Sequence, residues 1–269
     1  MAKSSSSRTH APRQRALITG ASTGIGAAFA RRLAREHYDL IVVARGRERL
    51  DALANRLHAE HEAAVEVLPA DLTHAAELRI VEKVVTDAQL DLLVNNAGFG
   101  TVGAFAQLDP VKEEEEIRLN VVALTRLTRA ALPGMIARHR GNIINVSSMA
   151  AFQAAPYNAT YGATKAFVNS FTEALHEELR GTGVTVQALC PGFTRTEFQE
   201  RAGIDVSDIP SFAWMSPDAV AEASLSALPR GELICIPGVA NRALMTLTSA
   251  LPRSITRRVF GTLSRRFAQ

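Results

Sequence analysis

The sequence predicts an α/β fold in which a doubly wound parallel sheet of about seven strands forms a single domain. Short, almost entirely apolar runs alternate with longer stretches of helical periodicity along the 269 residues. This pattern is typical of strands that are covered on both faces by crossover helices. The composition agrees, because 47% of the residues are hydrophobic and 21% are charged, enough apolar mass for a sizeable core. No internal repeat or interior low-complexity linker divides the chain.

Seven apolar runs are the candidate strands, and helical periodicity lies between them. The strands are expected at residues 16–19, 40–44, 65–69, 90–95, 142–146, 184–189 and 233–236. Helices are expected at residues 26–35, 75–86, 111–138 and 160–180, among others. In such sheets ligands bind beyond the carboxyl ends of the strands. The residues that directly follow each strand are therefore the candidates for function.

The net charge of +3 belongs to the two ends of the chain. Residues 1–15 carry four basic residues and residues 241–269 carry six, with no acidic residue in either segment. Subtracting these ten from 30 leaves 20 basic against 27 acidic residues between them, a balance of −7. We predict a disordered basic tail at residues 1–14, a dinucleotide-binding and catalytic domain at 15–239, and a basic amphipathic helical extension at 240–269. The acidic body argues against nucleic-acid binding.

Several features predict a cytoplasmic protein. The N-terminus lacks the apolar segment of a secretory signal, and no apolar run is long enough to span a membrane. The two cysteines, Cys190 and Cys235, lie in apolar runs and are expected to be buried free thiols in a reducing compartment. The extension places apolar side chains on one helical stripe, so it either lies on a membrane surface or packs on the body or a partner subunit. The stripe comprises Leu244, Leu247, Leu251, Ile255, Val259, Leu263 and Phe267.

The first strand ends in TGASTGIG, a glycine-rich turn that opens the first helix. Three glycines at this spacing let the backbone turn tightly and approach a pyrophosphate, which the free N–H groups of the helix would bind. A plain tight turn is the alternative, but the position between first strand and first helix favours phosphate binding. The candidate residues are Gly20, Ser22, Thr23, Gly24, Ile25 and Gly26.

The end of the second strand should distinguish the two nicotinamide cofactors. An acidic residue there would bind the ribose 2′-hydroxyl of NAD, but the sequence has Ala44 followed by Arg45. A guanidinium can pair with the 2′-phosphate of NADP through two hydrogen bonds, and Ser22 could add a hydroxyl. We therefore expect NADP(H) in preference to NAD(H). The alternative is that Arg45 stacks on adenine or faces solvent.

Further cofactor contacts are expected after the third, fourth and sixth strands. Asp71 and Leu72 would lie at the adenine edge, and the small residues of NNAG would let the cofactor pass closely. After the sixth strand, PGFTRT would let the backbone approach the nicotinamide, with Thr196 holding its carboxamide. Each piece alone could be ordinary turn chemistry. The candidates are Asn96, Ala97, Gly98, Pro191, Gly192, Thr194 and Thr196.

The catalytic candidates begin with Tyr161 and Lys165, which share one helix face because they are four residues apart. A tyrosine pKa near ~10 must fall by about three units, worth about 4 kcal/mol, for the phenol to act as a base near neutrality. We expect Lys165, helped by an oxidised nicotinamide, to lower it by that amount. Ser148 can donate to a developing alkoxide oxygen. Asn120, inside a predicted helix, is expected to hold a water that connects Lys165 to solvent.

These residues together resemble the short-chain dehydrogenase/reductase family over roughly residues 16–236, with no departure at the motif positions. The resemblance rests on TGASTGIG, NNAG, Asn120, Ser148, YGATK and PGFTRT, all in order. It implies a Rossmann-like fold and hydride transfer between a nicotinamide and a carbonyl or carbinol carbon. It makes Tyr161 the general acid/base, Lys165 the holder of the nicotinamide ribose, Ser148 the residue that orients substrate and Asn120 the anchor of the relay water. It also implies a homodimer or homotetramer.

Four further expectations concern residues outside these motifs. Residues 193–215 hold several apolar side chains that either form a lid over a lipophilic substrate or pack on the body. Tyr157 is expected to line the substrate mouth. The run Glu113–Glu116 is expected to be a solvated first helical turn. No metal is expected, since His58 and His61 lack a third ligand. The alternative to an enzyme is a non-catalytic NADPH-binding sensor or scaffold on the same fold.

Overall fold

A seven-stranded parallel sheet forms the centre of the protein in a computed structural model that describes residues 13–154, 156–203 and 209–249. The strand order is β3-β2-β1-β4-β5-β6-β7, so the direction of winding reverses between β1 and β4. The predicted fold is confirmed. The strands are β1 (Arg15–Thr19), β2 (Asp39–Ala44), β3 (Val65–Pro69), β4 (Leu92–Asn95), β5 (Gly141–Val146), β6 (Val184–Leu189) and β7 (Ile234–Cys235).

Helices cover both faces of the sheet and bury its apolar runs in two cores. Fully buried Phe29 belongs to the core under α1, α2 and α8, and fully buried Leu127 to the core under α3, α5 and α6. Successive side chains of a strand point to opposite faces of the sheet, so strands that are apolar throughout make both faces apolar. The helices are α1 (Gly24–Arg35), α2 (Arg47–His61), α3 (Ala75–Asp87), α4 (Pro110–Ile117), α5 (Leu124–Ala137), α6 (Ala159–Glu178), α7 (Phe198–Arg201), α8 (Pro217–Ala227) and α9 (Val239–Ser249).

The prediction of one continuous helix over residues 111–138 is wrong in one respect. A π-helical segment, Arg118–Ala123, separates α4 from α5 and contains Asn120. Such wide turns are rare and occur frequently at functional sites. Here the Asn120 side chain bonds the neighbouring loop in both directions, accepting from Phe99 N–H at 3.2 Å and donating to Phe99 O at 2.8 Å. These bonds hold the irregular turn in place.

The two terminal segments are described only in part. The predicted tail lies almost wholly outside the described residues, as do residues 250–269 of the extension. Its first part is α9, on which Leu244 and Leu247 are 48% and 65% exposed. No helix among the described residues is long and apolar enough to cross a membrane. The role of the extension as a membrane or subunit contact stays a prediction.

Candidate active site

The glycine-rich turn between β1 and α1 is braced from the end of β4. Gly20 has a φ of +65°, which glycine adopts without strain, and a Cβ there would lie 2.8 Å from the Asn96 amide nitrogen. That amide donates to the carbonyls of Thr19 and Gly20 at 2.8 and 3.2 Å. The Thr19 hydroxyl accepts from the backbone N–H groups of Asn96 and Ala97, both at 3.0 Å. Thr19 is a bracing residue that the sequence motif contains but that sequence reasoning did not single out.

The N-terminus of α1 is open to an anion. Thr23 is the N-cap residue, its side chain makes no capping bond within the described structure, and the first turn carries no acidic residue. Gly26 lies so close to the Gly20 carbonyl that a Cβ would be 2.3 Å from its oxygen. The backbone N–H groups and the positive end of the helix dipole are therefore available to a phosphate. The residues present fit the pyrophosphate of a dinucleotide.

Arg45 and Asp71 face each other at the ends of β2 and β3. The Arg45 guanidinium is 73% exposed and lies 3.9 Å from the Asp71 carboxylate. Burial alone would raise the pKa of Asp71, but hydrogen bonds from Thr73 and the charge of Arg45 outweigh it and lower that pKa. Because Asp71 is held ionised by these neighbours, it fixes the turn beside Leu72, which is buried. Asp71 is the one ionic partner of Arg45 within the described residues, so most of the guanidinium donors are available to a ligand.

Tyr161 and Lys165 lie on α6 where that helix passes the ends of β5 and β6. The Lys165 ammonium donates to the Val146 carbonyl at 2.8 Å and lies 5.6 Å from the centroid of the Tyr161 ring. Ser148 follows β5, and its hydroxyl is in hydrogen-bonding contact with the Tyr161 phenol. The adjacent Ser147 hydroxyl donates to the Lys165 carbonyl at 3.0 Å. The structure thus brings together Ser148, Tyr161 and Lys165, and the Val146 carbonyl orients the ammonium.

The predicted lowering of the Tyr161 pKa, which requires an oxidised nicotinamide as well as Lys165, stays a prediction. Burial of the hydroxyl raises the pKa of Tyr161 to about 12, which the hydrogen bond from Ser148 offsets only in part. Burial also lowers the pKa of Lys165 to about 8, an effect that the Glu116 carboxylate opposes. Desolvation disfavours the charged form of each group. A phenol with so high a pKa is protonated at neutral pH and is therefore a proton donor.

Asn120 links the π-helical segment to the catalytic helix. Its amide donates to the Thr164 hydroxyl at 3.1 Å, and that hydroxyl donates to the Tyr161 carbonyl at 2.8 Å. A Cβ on Gly98 would lie 2.9 Å from Asn120 Oδ1 and 3.4 Å from Lys165 Nζ, so these two side chains meet over Gly98. A glycine is required there. The relay water expected on Asn120 stays a prediction.

The expectation that Glu113–Glu116 is a solvated turn is wrong for two of its four residues. Glu113 is 8% exposed and Glu116 is 0% exposed. Both point from α4 toward Thr101, which follows the NNAG segment. Glu114 stays exposed and pairs with Arg118 at 2.7 Å. The spacing of 113, 116 and 120 along one helix face is the signal that could have revealed an inward-facing carboxylate row.

An aromatic and apolar wall closes the substrate side of Tyr161. The Phe198 ring lies 5.3 Å from the Tyr161 ring between centroids. A Cβ on Gly100 would lie 2.8 Å from the Tyr161 ring and 3.2 Å from the Phe198 ring, so the loop after β4 packs against both rings. Tyr157 has a φ of +64°, and its carbonyl accepts from Gly103 N–H at 2.8 Å. The place of the Tyr157 side chain at the substrate mouth stays a prediction.

The segment predicted as a lid is pinned at both ends. Thr194 and Met215 form a β-bridge, with Arg195 N–H donating to Met215 O at 3.0 Å and Met215 N–H to Phe193 O at 2.9 Å. The Phe193 and Trp214 rings are 5.7 Å apart between centroids. Residues 204–208 of this segment lie outside the described residues. The role of this segment as a lid over the substrate stays a prediction.

The PGFTRT turn contacts both the glycine-rich turn and α9. A Cβ on Gly24 would lie 3.0 Å from the Thr196 methyl group, so Thr196 lies next to the glycine-rich turn. Gly192 is pressed against Asn241, whose amide nitrogen would be 2.8 Å from an added Cβ. Thr194 is buried and its hydroxyl donates to Gly192 O at 3.0 Å. The predicted contact of Thr196 with a carboxamide stays a prediction.

A parallel sheet with an open glycine-rich turn at its switch point, beside a Ser–Tyr–Lys group whose lysine is buried, defines a dinucleotide-dependent oxidoreductase. Comparison with known proteins agrees. Residues 14–206 match the family described as short chain dehydrogenase. The chain therefore belongs to the short-chain dehydrogenase/reductase family and is an oxidoreductase.

The solved structures that resemble this chain include two with high coverage. A short-chain dehydrogenase from Sphingobium yanoikuyae in complex with NADPH is 42% identical, with a TM-score of 0.80 over 89% of this chain and 97% of that one. A bulky-bulky ketone specific alcohol dehydrogenase from Comamonas testosteroni is 35% identical, with a TM-score of 0.76 over 89% and 95%. A ketoacyl reductase from Nostoc sp. is 33% identical over 218 residues, which is 79% of this chain and 74% of that protein. None of these supports the non-catalytic alternative.

Proposed function

We propose that the protein interconverts a ketone or aldehyde and the corresponding alcohol with NADP(H), using Tyr161 as general acid/base. The observation that carries this proposal is the contact of the Ser148 hydroxyl with the Tyr161 phenol beside the buried Lys165 ammonium. Nicotinamide, when bound, supplies or accepts the hydride. Residues of the chain supply the proton and the orientation of the reacting oxygen.

In carbonyl reduction, Tyr161 would donate its proton to the oxygen that gains charge as the carbon is reduced. Ser148 would donate a hydrogen bond to the same oxygen and keep it near the phenol. Lys165 has one hydrogen bond in the described structure, to Val146 O, which leaves donors for the ribose of a bound nucleotide. Tyr161, whose pKa burial raises to about 12, is protonated at neutral pH and can therefore donate this proton.

The preference for NADP(H) rests on the charge at the end of β2. Arg45 is largely exposed and pairs only loosely with Asp71, at 3.9 Å. No acidic residue occupies the position of Ala44, where one would bind the 2′-hydroxyl of NAD and repel a 2′-phosphate. A bound 2′-phosphate would compete with Asp71 for the Arg45 guanidinium and could accept two hydrogen bonds from it.

The substrate we propose is a lipophilic carbonyl compound. The wall beside the catalytic phenol is aromatic, formed by Phe198, and Phe193 and Trp214 stand at the start and end of the pinned segment. Phe193 is 43% exposed, so this side offers apolar surface to a ligand. A relative from Comamonas testosteroni acts on bulky ketones, as its name states. The predicted homodimer or homotetramer stays a prediction.

Tyr161→Phe is the test of this proposal. The variant should lose turnover of every carbonyl substrate by at least about 100-fold, the ordinary size of general acid catalysis, and should bind NADPH as the wild type does. Binding is followed by nicotinamide fluorescence, and turnover by oxidation of NADPH with a panel of aromatic, alicyclic and long-chain ketones. Tyr38→Phe, at a partly buried tyrosine between α1 and β2, is the matched control. Full activity of Tyr161→Phe would refute the mechanism.

A further inference from the structure

Tyr161 lies in the first turn of α6, and the side chain of the N-cap residue does not cap that turn. The N-cap residue is Asn158, whose side chain makes no capping bond among the described residues and donates instead to the Thr101 carbonyl. The ends of helices fray when their free backbone groups are not satisfied by such bonds. The position of the Tyr161 phenol therefore depends on contacts that reach this turn from elsewhere in the fold.

One such contact comes from Glu113, a buried residue of α4. Its two carboxylate oxygens accept hydrogen bonds from two different parts of the chain. Oε2 accepts from the hydroxyl of Thr160, the residue directly before Tyr161. Oε1 accepts from the hydroxyl of Thr101, in the loop after β4, at 2.5 Å. The Glu113 carboxylate therefore bridges the first turn of the catalytic helix and this loop.

The loop that Glu113 holds also contacts the catalytic tyrosine. Gly100 packs against the Tyr161 ring, since an added Cβ would lie 2.8 Å from that ring. The next residue, Thr101, is held a second time by α4, because its N–H donates to Glu116 Oε2 at 2.9 Å. A displacement of Thr101 would therefore also displace the surface against which the phenol ring packs.

The carboxylate suits the helix end that it contacts. Glu113 lies at the N-terminus of α6, where the free N–H groups and the positive end of the helix dipole favour a negative charge. A buried carboxylate is costly unless its oxygens accept hydrogen bonds. The bonds from Thr160 and Thr101 therefore stabilise Glu113 as well as the turn that it holds.

We propose that Glu113 is a positioning residue that fixes the place of the Tyr161 phenol by bridging Thr160 and Thr101. This inference rests on the proposed function, in which Tyr161 transfers the proton. Among the described residues no hydrogen bond joins Glu113 to Tyr161 itself, so Glu113 acts through the helix turn and the loop. A displacement of about 1 Å from the productive geometry can lower the rate of a reaction by about 100-fold.

Thr160 is the residue to change first, because its hydroxyl can be removed while the shape of the side chain is kept. Thr160→Val cannot donate to Glu113, whereas Thr160→Ser keeps the hydroxyl and loses only a methyl group. Thr160→Val should lower kcat for carbonyl reduction by roughly 10–100-fold, and Thr160→Ser should keep a kcat close to that of the wild type. The Kd for NADPH should be unchanged in both variants, because the bridge does not include the glycine-rich turn. If Thr160→Val does not fold, Thr160→Ala replaces it.

A double-variant cycle shows whether the two residues act through one bond. Glu113→Met keeps the length of the side chain and removes both acceptor oxygens, so it should also lower kcat. Because residues that act through one contact give non-additive effects, Thr160→Val should cause no further loss of kcat in the Glu113→Met protein. If Glu113→Met does not fold, Glu113→Gln replaces it. Glu114→Gln, at an exposed position of the same run, is the control and should have the kcat of the wild type.

Hydrogen exchange tests the bridge without turnover. The backbone N–H groups of residues 162–165 should exchange roughly fivefold faster in Thr160→Val than in the wild type, the size expected for the loss of a helix cap. Those of residues 175–178, in the last turn of α6, should exchange at the wild-type rate. If the wild type turns over no carbonyl, the proposed function fails, while hydrogen exchange still decides whether the bridge holds the first turn.

Two results would overturn the inference. The first is equal exchange of residues 162–165 in the wild type and in the folded Thr160 variant. The second is a kcat that Thr160→Val lowers by the same factor with and without the Glu113 carboxylate, because the two residues would then act independently.

Discussion

Glu116→Gln should make the stability of the protein less dependent on pH. Glu116 is fully buried, and its pKa is raised from 4.5 to about 7 in the folded state. The direction of the pH effect on stability follows from linkage between protonation and folding. When the pKa of an acid is higher in the folded than in the unfolded state, its contribution to stability is fully present below the unfolded pKa. That contribution is lost as the pH rises through about 7, because the folded protein must then bury the charge. Glutamine has no proton to lose and does not show this loss.

The magnitude follows from the size of the shift. A rise of about 2.5 units corresponds to about 3 kcal/mol at 1.36 kcal/mol per unit. Most of this contribution to stability, about 2–3 kcal/mol, is lost between pH 5 and pH 7.5. For a chain of this size, 1 kcal/mol changes Tm by roughly 2–4 °C. The Tm difference between Glu116→Gln and wild type should therefore grow by roughly 5–10 °C in favour of the variant over this interval.

Differential scanning fluorimetry at half-unit steps of pH measures this difference. The comparison uses the change with pH rather than the absolute Tm, because a glutamine N–H left without a partner has its own cost of about 1–3 kcal/mol that does not depend on pH. Glu114→Gln, at an exposed position, should follow the wild-type curve. Parallel curves for Glu116→Gln and wild type would show that Glu116 is already ionised at pH 5, and the argument from burial would then be wrong.

Three other predictions concern the cofactor turn and the proton donor. Arg45→Asp should weaken NADPH binding relative to NADH binding by roughly 10–100-fold, because a charge-assisted hydrogen bond is lost. The control is Arg47→Asp at an exposed neighbouring position, which should leave the ratio of the two affinities unchanged. Fluorescence titration with both nucleotides measures this ratio, and an unchanged ratio in Arg45→Asp would place phosphate recognition elsewhere. Gly20→Ala should lower Tm and abolish nucleotide binding, because a Cβ would lie 2.8 Å from the Asn96 amide at a φ of +65°. Gly46→Ala, where a Cβ meets nothing within 4 Å, is its control, and equal melting of the two variants would contradict the packing argument. The rate of alcohol oxidation should rise with pH up to about pH 8, because Tyr161 must be deprotonated and burial raises its pKa to about 12. It should level off above that pH, because burial lowers the pKa of Lys165 to about 8 and the ammonium is then lost; a rate that is already constant between pH 6 and pH 7 would show that Tyr161 loses its proton more easily.

The sheet and the catalytic helix could be predicted from the sequence because their signals are local. Apolar runs, the glycine-rich turn and the four-residue spacing of Tyr161 and Lys165 require only nearby residues. The structure confirms the fold and brings Ser148 to Tyr161, which lies thirteen residues further along the chain.

The errors concern properties that depend on tertiary packing. Four consecutive glutamates look like a solvated first turn, and only the packing of α4 against α6 and the loop at Thr101 shows that Glu113 and Glu116 face inward. Burial, which raises the pKa of Tyr161, likewise depends on the whole fold and not on the neighbouring Lys165. Helical periodicity likewise extends across the π-helical turn at Asn120, because the side-chain bonds that hold the turn come from a distant loop.

The bridge between Thr194 and Met215 has a consequence for how this protein could change its specificity. Phe193 and Met215 are joined by a backbone hydrogen bond, so the two ends of the intervening chain are held together at one point. Just after the first anchor, Thr196 contacts Gly24 and Phe198 contacts the Tyr161 ring, so this part of the loop belongs to the reactive centre. Evolution or design can therefore lengthen, shorten or exchange the chain between Phe198 and Met215, with the reactive centre kept in place and the shape of the accepted molecule altered.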